Sequence, residues 1–252
     1  MIKLLEEVDL SGYTLILPSV SVGNVGQLSV DLVIATLGLK RIGRLFDPAF
    51  IPLVGADPYD ENSEDICTAV DIYVCREKKL IAIQIRSPLV KRPINFLKTV
   101  SDFISEKNIS KVIILTSSFG HEKRDIQLRT APLRYLATDT LLEQDAKTFE
   151  DLSWIALEPK PIDDFSNQTS LQIHGGGFAK ILFEILQKNK VPCVVIMKYC
   201  SEGDNIPDAI ELTNYFNQYA KLIDTDSQLL GQFKYPCSWK FLFGNSPPKE
   251  IF

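Results

Sequence analysis

The sequence predicts one α/β domain, a three-layer α/β/α sandwich around a central mixed, mainly parallel sheet. Short apolar runs of strand length alternate with longer segments whose apolar residues recur every three or four positions. Strands and helices that alternate in this way form a mainly parallel sheet with helices on both faces. The chain has 252 residues, of which 45% are hydrophobic. A compact domain of this size buries roughly 70–75% of the surface that its unfolded chain exposes.

The first predicted elements are a strand, a glycine-rich turn and a helix. Residues 13–17 (YTLIL) form an apolar run that ends at Pro18, as in a buried strand. Residues 27–39 carry apolar side chains on one helical stripe and on the other faces as well. We therefore expect this helix to be deeply covered.

A polar link of three residues joins the next two predicted strands. Residues 66–76 and 80–86 alternate between the two faces of a strand with a period of two. Because the link between them is short, the two strands should form an antiparallel hairpin, which makes the sheet mixed.

The alternation continues to about residue 223. Pro93 marks the start of a helix, because proline is tolerated in the first helical turn, and residues 117–132 are predicted to form a long polar loop. The other predicted elements are strands at 111–116, 133–137, 154–157 and 193–199, and helices at 178–186 and 207–223. No linker divides the chain, so residues 1–252 are treated as one domain with an irregular segment at about 225–252.

Charge and hydropathy argue against several classes of protein. Lys plus Arg number 27 and Asp plus Glu 32, which gives a net charge of −5, whereas a non-specific nucleic-acid binder needs a basic surface. No basic amphipathic helix indicates a membrane surface as partner. The N-terminus is acidic where a signal peptide has its apolar core, and no run approaches the ~18 apolar residues of a membrane span. We expect a soluble, intracellular protein.

The five cysteines do not predict a zinc ribbon. Their number is odd, and no two have Cys-x-x-Cys spacing. Three lie in strand-like sequence, where a reduced cysteine packs as a small hydrophobic side chain. We expect structural thiols, as in a reducing compartment.

Three glycines, Gly175 to Gly177, follow His174 and precede a predicted helix. His-Gly-Gly-Gly lines the oxyanion hole of some esterases, but that site requires a Gly-x-Ser-x-Gly elbow, which the sequence lacks. The dinucleotide fingerprint fails because Lys180 stands in place of the third glycine, and no Gly-Lys-Ser/Thr follows for a P-loop. Two interpretations remain: a tight turn, which we favour, and a helix start whose amides hold an anion.

A second glycine turn, residues 23–26, also joins a strand to a helix. It allows either a phosphate cradle or close packing of the helix on the sheet, and the absence of lysine and arginine favours packing. His121 and His174 are the only histidines, and His121 lies in polar sequence typical of a solvated side chain. We predict no catalytic residue and no cofactor site.

The acidic segment 201–208 (SEGDNIPD) offers oxygen ligands, but its spacing does not fit an EF-hand loop. Helix capping accounts for the same residues. Asn205 caps the helix, Pro207 lies in its first turn, and Asp208 faces the positive end of the helix dipole. We predict a helix start and no metal site.

Arg124, Arg129 and Arg134 form a loosely spaced basic group. They belong either to a solvated loop or to a contact surface, because arginine is enriched where proteins meet.

Five stretches, which together run through most of the chain, carry a family resemblance. They are SVSVGNVGQLSVDL (19–32), IQLRTAPLRYL (126–136), IHGGGFAK (173–180), SEGDNIPDA (201–209) and SWKFLFG (238–244). The strings VGNVGQL and SEGDNIPDA are long and unusual. Together these stretches resemble the proteasome assembly chaperone 2 family.

The resemblance implies a sandwich similar to nucleoside phosphorylases, without their activity and without a cofactor. It also implies a heterodimer with proteasome assembly chaperone 1, and this pair binds the α-subunits of the proteasome core particle. The pair promotes α-ring formation and prevents premature or aberrant pairing of α-rings. We expect such a chaperone in the cytoplasm and the nucleus, with no nucleic acid and no membrane as partner.

The end of the sequence departs from a feature associated with that family. Proteins that dock on the α-ring often end in hydrophobic-Tyr-any residue, whose terminal carboxylate pairs with a lysine between α-subunits. Here Glu250 stands in the hydrophobic position, Ile251 replaces tyrosine, and Phe252 follows. These three residues form either a weaker docking tail, which the extended Pro247-Pro248 stem favours, or a frayed terminus.

The rival interpretation is an enzyme of the nucleoside phosphorylase or hydrolase kind. It would hold an anionic substrate in the two glycine turns and use a carboxylate or histidine as acid or base. A third interpretation, a generic scaffold module, predicts a stable monomer without a partner chaperone.

Overall fold

The structure is a computed structural model that describes residues 1–123, 127, 129–161, 169–223 and 233–241. Within them, helices cover both faces of an eight-stranded mixed sheet, which confirms the α/β sandwich. The strands are β1 (Ile2–Leu4), β2 (Thr14–Pro18), β3 (Lys40–Leu45), β4 (Val54–Ala56), β5 (Ile66–Thr68), β6 (Val70–Cys75), β7 (Leu80–Ile85), β8 (Lys111–Phe119), β9 (Leu133–Ala137), β10 (Lys160–Pro161), β11 (Thr169–Ser170) and β12 (Cys193–Cys200). The helices are α1 (Val25–Leu37), α2 (Ile94–Glu106), α3 (Asp139–Asp151), α4 (Ala179–Lys188) and α5 (Ile206–Ala220).

The central sheet has the strand order β1-β3-β6-β7-β2-β8-β12-β9. The four middle strands, β7, β2, β8 and β12, are parallel to one another. Strands β1, β3 and β6 on one side and β9 on the other pair in the antiparallel sense. The described sheet is therefore mixed, and its antiparallel part is larger than the alternation of strands and helices predicts.

The core has two layers. Helices α2 and α4 cover one face of the sheet, where the rings of Phe96 and Phe178 meet at a centroid distance of 5.5 Å. Helices α1, α3 and α5 cover the other face. Here α1 packs against α5, and the Ser29 hydroxyl donates a hydrogen bond to the carbonyl oxygen of Ala209, 180 residues later, at 3.1 Å. Helix α1 is deeply covered, as its apolar residues on several faces predict.

The predicted hairpin is confirmed in its paired part. Strands β6 and β7 are antiparallel, with Val70 opposite Ile85 and Cys75 opposite Leu80. Residues 66–68, however, leave the sheet as β5 and pair with β4 in a separate two-stranded ribbon. The prediction of a single strand over residues 66–76 is therefore wrong.

Strand β8 continues three residues into the predicted polar loop. Ser117 and Ser118 are buried in this extension of β8. Their hydroxyls are satisfied there, because they donate to the carbonyl oxygens of Val22 at 2.6 Å and His174 at 2.7 Å. The predicted strand at 154–157 is reduced to an isolated bridge between Tyr135 and Ala156. Helix α3 was not expected from the sequence.

All five cysteines are free, and Cys67, Cys193 and Cys200 are buried. Burial raises the pKa of the Cys193 thiol, so this side chain packs as a neutral, small hydrophobic group. In the described ranges, every helix is too short or too polar to cross a bilayer.

Candidate functional sites

The two glycine turns pack against each other. Ser19, at the end of β2, donates from its hydroxyl to the carbonyl oxygen of Gly176 at 2.8 Å and accepts from the amide of Phe178 at 2.8 Å. The amide of Val22 donates to the carbonyl oxygen of Gly175 at 3.0 Å. An anion or oxyanion would need amide donors, and the chain itself engages several of them: the Gly176 amide donates to the carbonyl oxygen of Ile173 at 3.1 Å, and the Ala179 amide donates to that of Gly176 at 3.3 Å. Together with the Phe178 amide, these bonds support the tight-turn interpretation.

Space explains why glycine stands in these turns. Gly177 has a φ of +62°, and a Cβ there would lie 2.1 Å from the carbonyl oxygen of Val20. A Cβ at Gly26, in the first turn of α1, would lie 2.4 Å from the carbonyl oxygen of Leu115 on β8. Both glycines allow a close approach of backbones. The packing interpretation of the turn at 23–26 is therefore supported.

The acidic segment before α5 makes internal contacts. The Asp204 carboxylate accepts the amide of Ile206 at 3.1 Å. Asn205 holds the N-cap position, but its amide group donates to the carbonyl oxygen of Ser201 at 2.7 Å and to Asp208 at 3.0 Å. The prediction that the Asn205 side chain caps the helix is therefore wrong. Over the ranges that the structure covers, no group of three or more acidic, histidine or cysteine side chains could hold a metal ion.

The arginine group does not form one surface. Arg134 is 1% exposed, and its guanidinium donates to the carbonyl oxygens of Ala131 and Leu133 and to the Thr130 hydroxyl. A side chain buried in this way offers no exposed contact, which corrects the prediction for Arg134. Arg129 is exposed, and its part in a contact surface stays a prediction. Arg124 lies outside the described residues, as do Glu250, Ile251 and Phe252 of the predicted tail.

A groove with exposed apolar walls lies beside the antiparallel part of the sheet. Its volume is about 750 Å³, and it is lined by the loop that leads from β3 to β4 and by residues 68–69 and 90–91. We call it the apolar groove. Its exposed apolar side chains, with their exposed fractions, are Phe46 (54%), Ile51 (46%), Leu53 (37%), Val54 (71%) and Val90 (54%).

The β4–β5 ribbon beside the apolar groove is fixed to the main sheet by buried charge. The Asp71 carboxylate, which is fully buried, accepts the amide of Thr68 at 2.8 Å and its hydroxyl at 2.7 Å. Arg41 pairs with Asp65 at 2.9 Å and also donates to the carbonyl oxygen of Ile66. These bonds hold β5 outside the main sheet, in the ribbon with β4.

The loop between β4 and β5 has an anchor of its own. The Tyr59 hydroxyl donates to Asp31 on α1 at 2.6 Å, and Arg86 donates to the same carboxylate at 3.0 Å. Burial and then the Asp31 charge raise the pKa of Tyr59, so its hydroxyl keeps its proton and remains a donor. The ribbon is therefore fixed at its strands and at its loop.

Sequence reasoning missed the apolar groove, although a signal was present. Residues 51–54 (IPLV) form a run of four apolar residues outside the predicted strands and helices. An exposed run of that length is unfavourable in a free domain unless it serves a contact.

Comparison with known proteins identifies the family. The model of the PAC2 family matches residues 15–231, which is most of the chain and includes both glycine turns and the β4–β5 ribbon. The chain belongs to the PAC2 family.

Relatives in the PAC2 family are similar over nearly their whole length. Proteasome assembly chaperone 2 of Bos taurus is 36% identical over 258 residues, and the match covers 97% of this chain and 96% of that protein. Proteasome assembly chaperone 2 of Homo sapiens is 34% identical over 256 residues, with the same coverage.

Solved structures share the fold of this PAC2 family chain. Pyrococcus furiosus PbaA, described as an archaeal homolog of proteasome-assembly chaperone, aligns with a TM-score of 0.64 and 14% identity, over 90% of this chain and 89% of that one. Pyrococcus furiosus PbaB, described as an archaeal proteasome activator, aligns with a TM-score of 0.63 and 16% identity, over 89% of this chain and 90% of that one. At these identities the likeness concerns the fold alone.

Proposed function

We propose that this protein is a non-catalytic chaperone for assembly of the proteasome core particle. It forms a heterodimer with proteasome assembly chaperone 1, and the pair binds α-subunits. The pair promotes α-ring formation and prevents premature or aberrant pairing of α-rings. It acts by differential binding, tight to an incomplete ring and weaker once the ring is remodelled.

One observation carries this proposal: the 34–36% identity, over nearly the full length, to proteins named Proteasome assembly chaperone 2. Two structural features are consistent with a role in binding. Amide donors in and just after the 175–177 turn are engaged internally, and apolar side chains are exposed in the apolar groove. An exposed apolar patch with a polar surround is typical of a protein–protein contact.

Co-expression tests the proposal. The chain is produced with proteasome assembly chaperone 1 and the α-subunits, and the complexes are separated by size exclusion. We expect co-elution with chaperone 1 and, in a larger complex, with α-subunits. If the chain elutes alone and α-rings form and pair equally well without it, the proposal is wrong.

The C-terminal residues provide a second prediction. Deletion of Glu250, Ile251 and Phe252 should weaken α-subunit capture about tenfold, as for the loss of one anchoring contact, and should leave the heterodimer intact. The measurement is pull-down of α-subunits by the purified heterodimer.

A matched variant restores the hydrophobic-Tyr-any pattern in the same positions. Glu250→Leu combined with Ile251→Tyr should strengthen capture. Equal capture by the wild type, the deletion and the restored tail would remove the tail from the mechanism.

We also propose that the protein acts in the cytoplasm and the nucleus. Imaging of a fluorescent fusion at native expression level checks this location. Signal confined to a membrane-bound compartment other than the nucleus would contradict it.

A further inference from the structure

We propose that the apolar groove is the docking surface for the partner chaperone, which lays an extended segment with apolar side chains and an acidic flank along it. This inference rests on the proposed function and assigns its heterodimer contact to a place on the chain. The groove side chains concerned are Phe46, Ile51, Leu53, Val54 and Val90.

Exposure of these side chains is the first argument. Ile51, Leu53 and Val54 belong to one continuous run, and Val54 is 71% exposed. Most of the large apolar side chains that the described residues expose belong to the first 94 positions. Side chains of this kind gain free energy when a partner removes them from water, at roughly 25 cal/mol per Å².

An open strand edge beside the groove is the second argument. Strand β4 pairs with β5 on one side, and in the described residues its other edge has no strand partner. An open edge offers backbone donors and acceptors to an added strand, whose alternate side chains can enter a neighbouring groove. A small apolar ligand would use the groove alone, whereas an extended protein segment uses both features.

The outer edge of β5, by contrast, is already used. Arg41 and Arg44 both donate to the carbonyl oxygen of Ile66, and the Thr68 amide is bound by Asp71. Together with the Tyr59 anchor, these bonds fix the ribbon before a partner arrives. Fixing a surface in advance lowers the entropy that binding must overcome.

Charge at the rim of the groove identifies the chemistry of the partner. Lys91 lines the groove, and Arg92 follows it; both are exposed and make no ion pair with any described residue. Asp47, which also lines the groove, accepts the amide of Ala49 at 2.9 Å. In a chain with a net charge of −5, this unpaired positive pair favours an acidic segment next to the apolar one.

A folded partner that contributes this segment would complete a stable interface. A stable interface buries about 800 Å² on each partner, with an apolar centre and a polar rim. The groove and the β4 edge supply the centre, and the Lys91-Arg92 pair supplies part of the rim. A second copy of this chain would present the same positive pair, so it complements the rim less well than an acidic partner.

Two substitutions from different segments test the groove. Val54→Asp and Val90→Asp place a charge in the groove at exposed positions, so the fold should persist, which a thermal melt of the chain verifies. We expect each to lower the affinity for chaperone 1 at least about tenfold, measured by titration of the purified chains. Ile181→Asp is the matched control, because Ile181 is an exposed isoleucine (39%) on α4, and it should bind as the wild type does.

The rim is tested by charge. Lys91→Glu with Arg92→Glu should weaken binding and flatten its dependence on ionic strength, because screened ion pairs are lost. Lys78→Glu with Lys79→Glu, in the exposed β6–β7 turn, is the control with the same charge change and should bind normally.

The outcomes separate this inference from the proposed function. If wild-type chain does not bind chaperone 1, the proposed function fails. If the wild type binds and the groove variants bind equally well, the groove is not the docking surface. If the groove variants abolish self-association of the isolated chain and leave chaperone 1 binding intact, the occupant is a second copy and the inference is overturned.

Discussion

At the scale of single residues, Gly177 is required both by backbone conformation and by space. Its φ of +62° lies in the left-handed region, and a Cβ would contact the Val20 carbonyl oxygen at 2.1 Å. Gly38, after α1, has almost the same φ of +60° but nothing within 4 Å of the Cβ position. The two glycines therefore separate the effect of conformation from the effect of close packing.

We predict that Gly177→Ala destabilises the protein clearly more than Gly38→Ala. The left-handed conformation alone costs a non-glycine residue about 1–2 kcal/mol, which is the expected effect at Gly38. At Gly177 the turn must also move away from Ser19, with a further loss of about 1–3 kcal/mol for the disturbed buried hydrogen bonds. Urea unfolding of both variants gives the comparison, and equal losses would contradict the packing of the two turns.

The sequence could predict such a turn but not its neighbours. A run of glycines between a strand and a helix has few other structural roles, so the turn followed from local pattern. Its contact with Ser19 spans more than 150 residues, and local pattern contains no information on that pairing. The prediction for Arg134 failed for a different reason: its guanidinium is bound by residues 130–133, so its burial depends on how this short segment folds back on itself, which a residue-type pattern does not give.

At the scale of elements, β12 and α5 are joined by a charged contact. Lys198 on β12 is 4% exposed and pairs with Asp208 at 2.5 Å and Glu211 at 3.0 Å, both in the first half of α5. Burial by itself lowers the pKa of Lys198, but its hydrogen bonds to the two carboxylates outweigh burial, so the pKa is raised above 10.5.

We predict that Lys198→Met lowers the free energy of unfolding by about 1–2 kcal/mol at neutral pH, because two partly exposed carboxylates lose their buried cation. A raised pKa stabilises the fold below the unfolded-state value, and this stabilisation is lost as pH rises through the folded-state value. The difference from wild type should therefore be constant between about pH 6 and 9 and shrink above about pH 10.5. Denaturant unfolding across pH measures it, and Lys198→Arg should restore most of the stability.

Elements with a strong local pattern were predictable, and those held by distant charges were not. The β6–β7 hairpin followed from a period of two and a short polar turn. Strand β5 was assigned to the same hairpin because Ile66 continues the alternation, although Asp71 and Arg41 divert it into the ribbon. The signal for the apolar groove, the IPLV run, lay in a stretch with no predicted element.

At the scale of the whole molecule, the glycine turns close the end of the parallel strands where α/β enzymes bind their ligands. We therefore predict that phosphate, ribose 1-phosphate and nucleosides do not change the melting temperature of the protein. Proteasome assembly chaperone 1 should raise it, because a ligand that binds only the folded state stabilises that state. Differential scanning fluorimetry measures both effects, and a rise of several degrees with phosphate would favour the enzyme interpretation.

Fold class was predictable at this scale because alternation of strand and helix signals is a property of the entire chain. The strand order was less predictable, because the additional antiparallel strands β1 and β3 carry weak patterns. Three of the first four residues of β3 are charged or glycine. The family resemblance followed from long similar strings and not from a chemical motif. The groove that we propose as the docking surface could be recognised only from the structure.

The contact between α1 and α5 has a consequence for protein synthesis. Helix α1 is complete early, yet the helix that shields it is about 180 residues further on, as the Ser29–Ala209 bond shows. At about 5–20 residues per second, ribosomes need roughly 9 to 36 s to produce that stretch. During this time the nascent chain carries an apolar helix whose α5-facing side is exposed to water. We therefore expect the chain to depend on holdases during its own translation. Ribosome profiling of holdase-bound nascent chains should show capture after residue 37 and release once α5 has emerged.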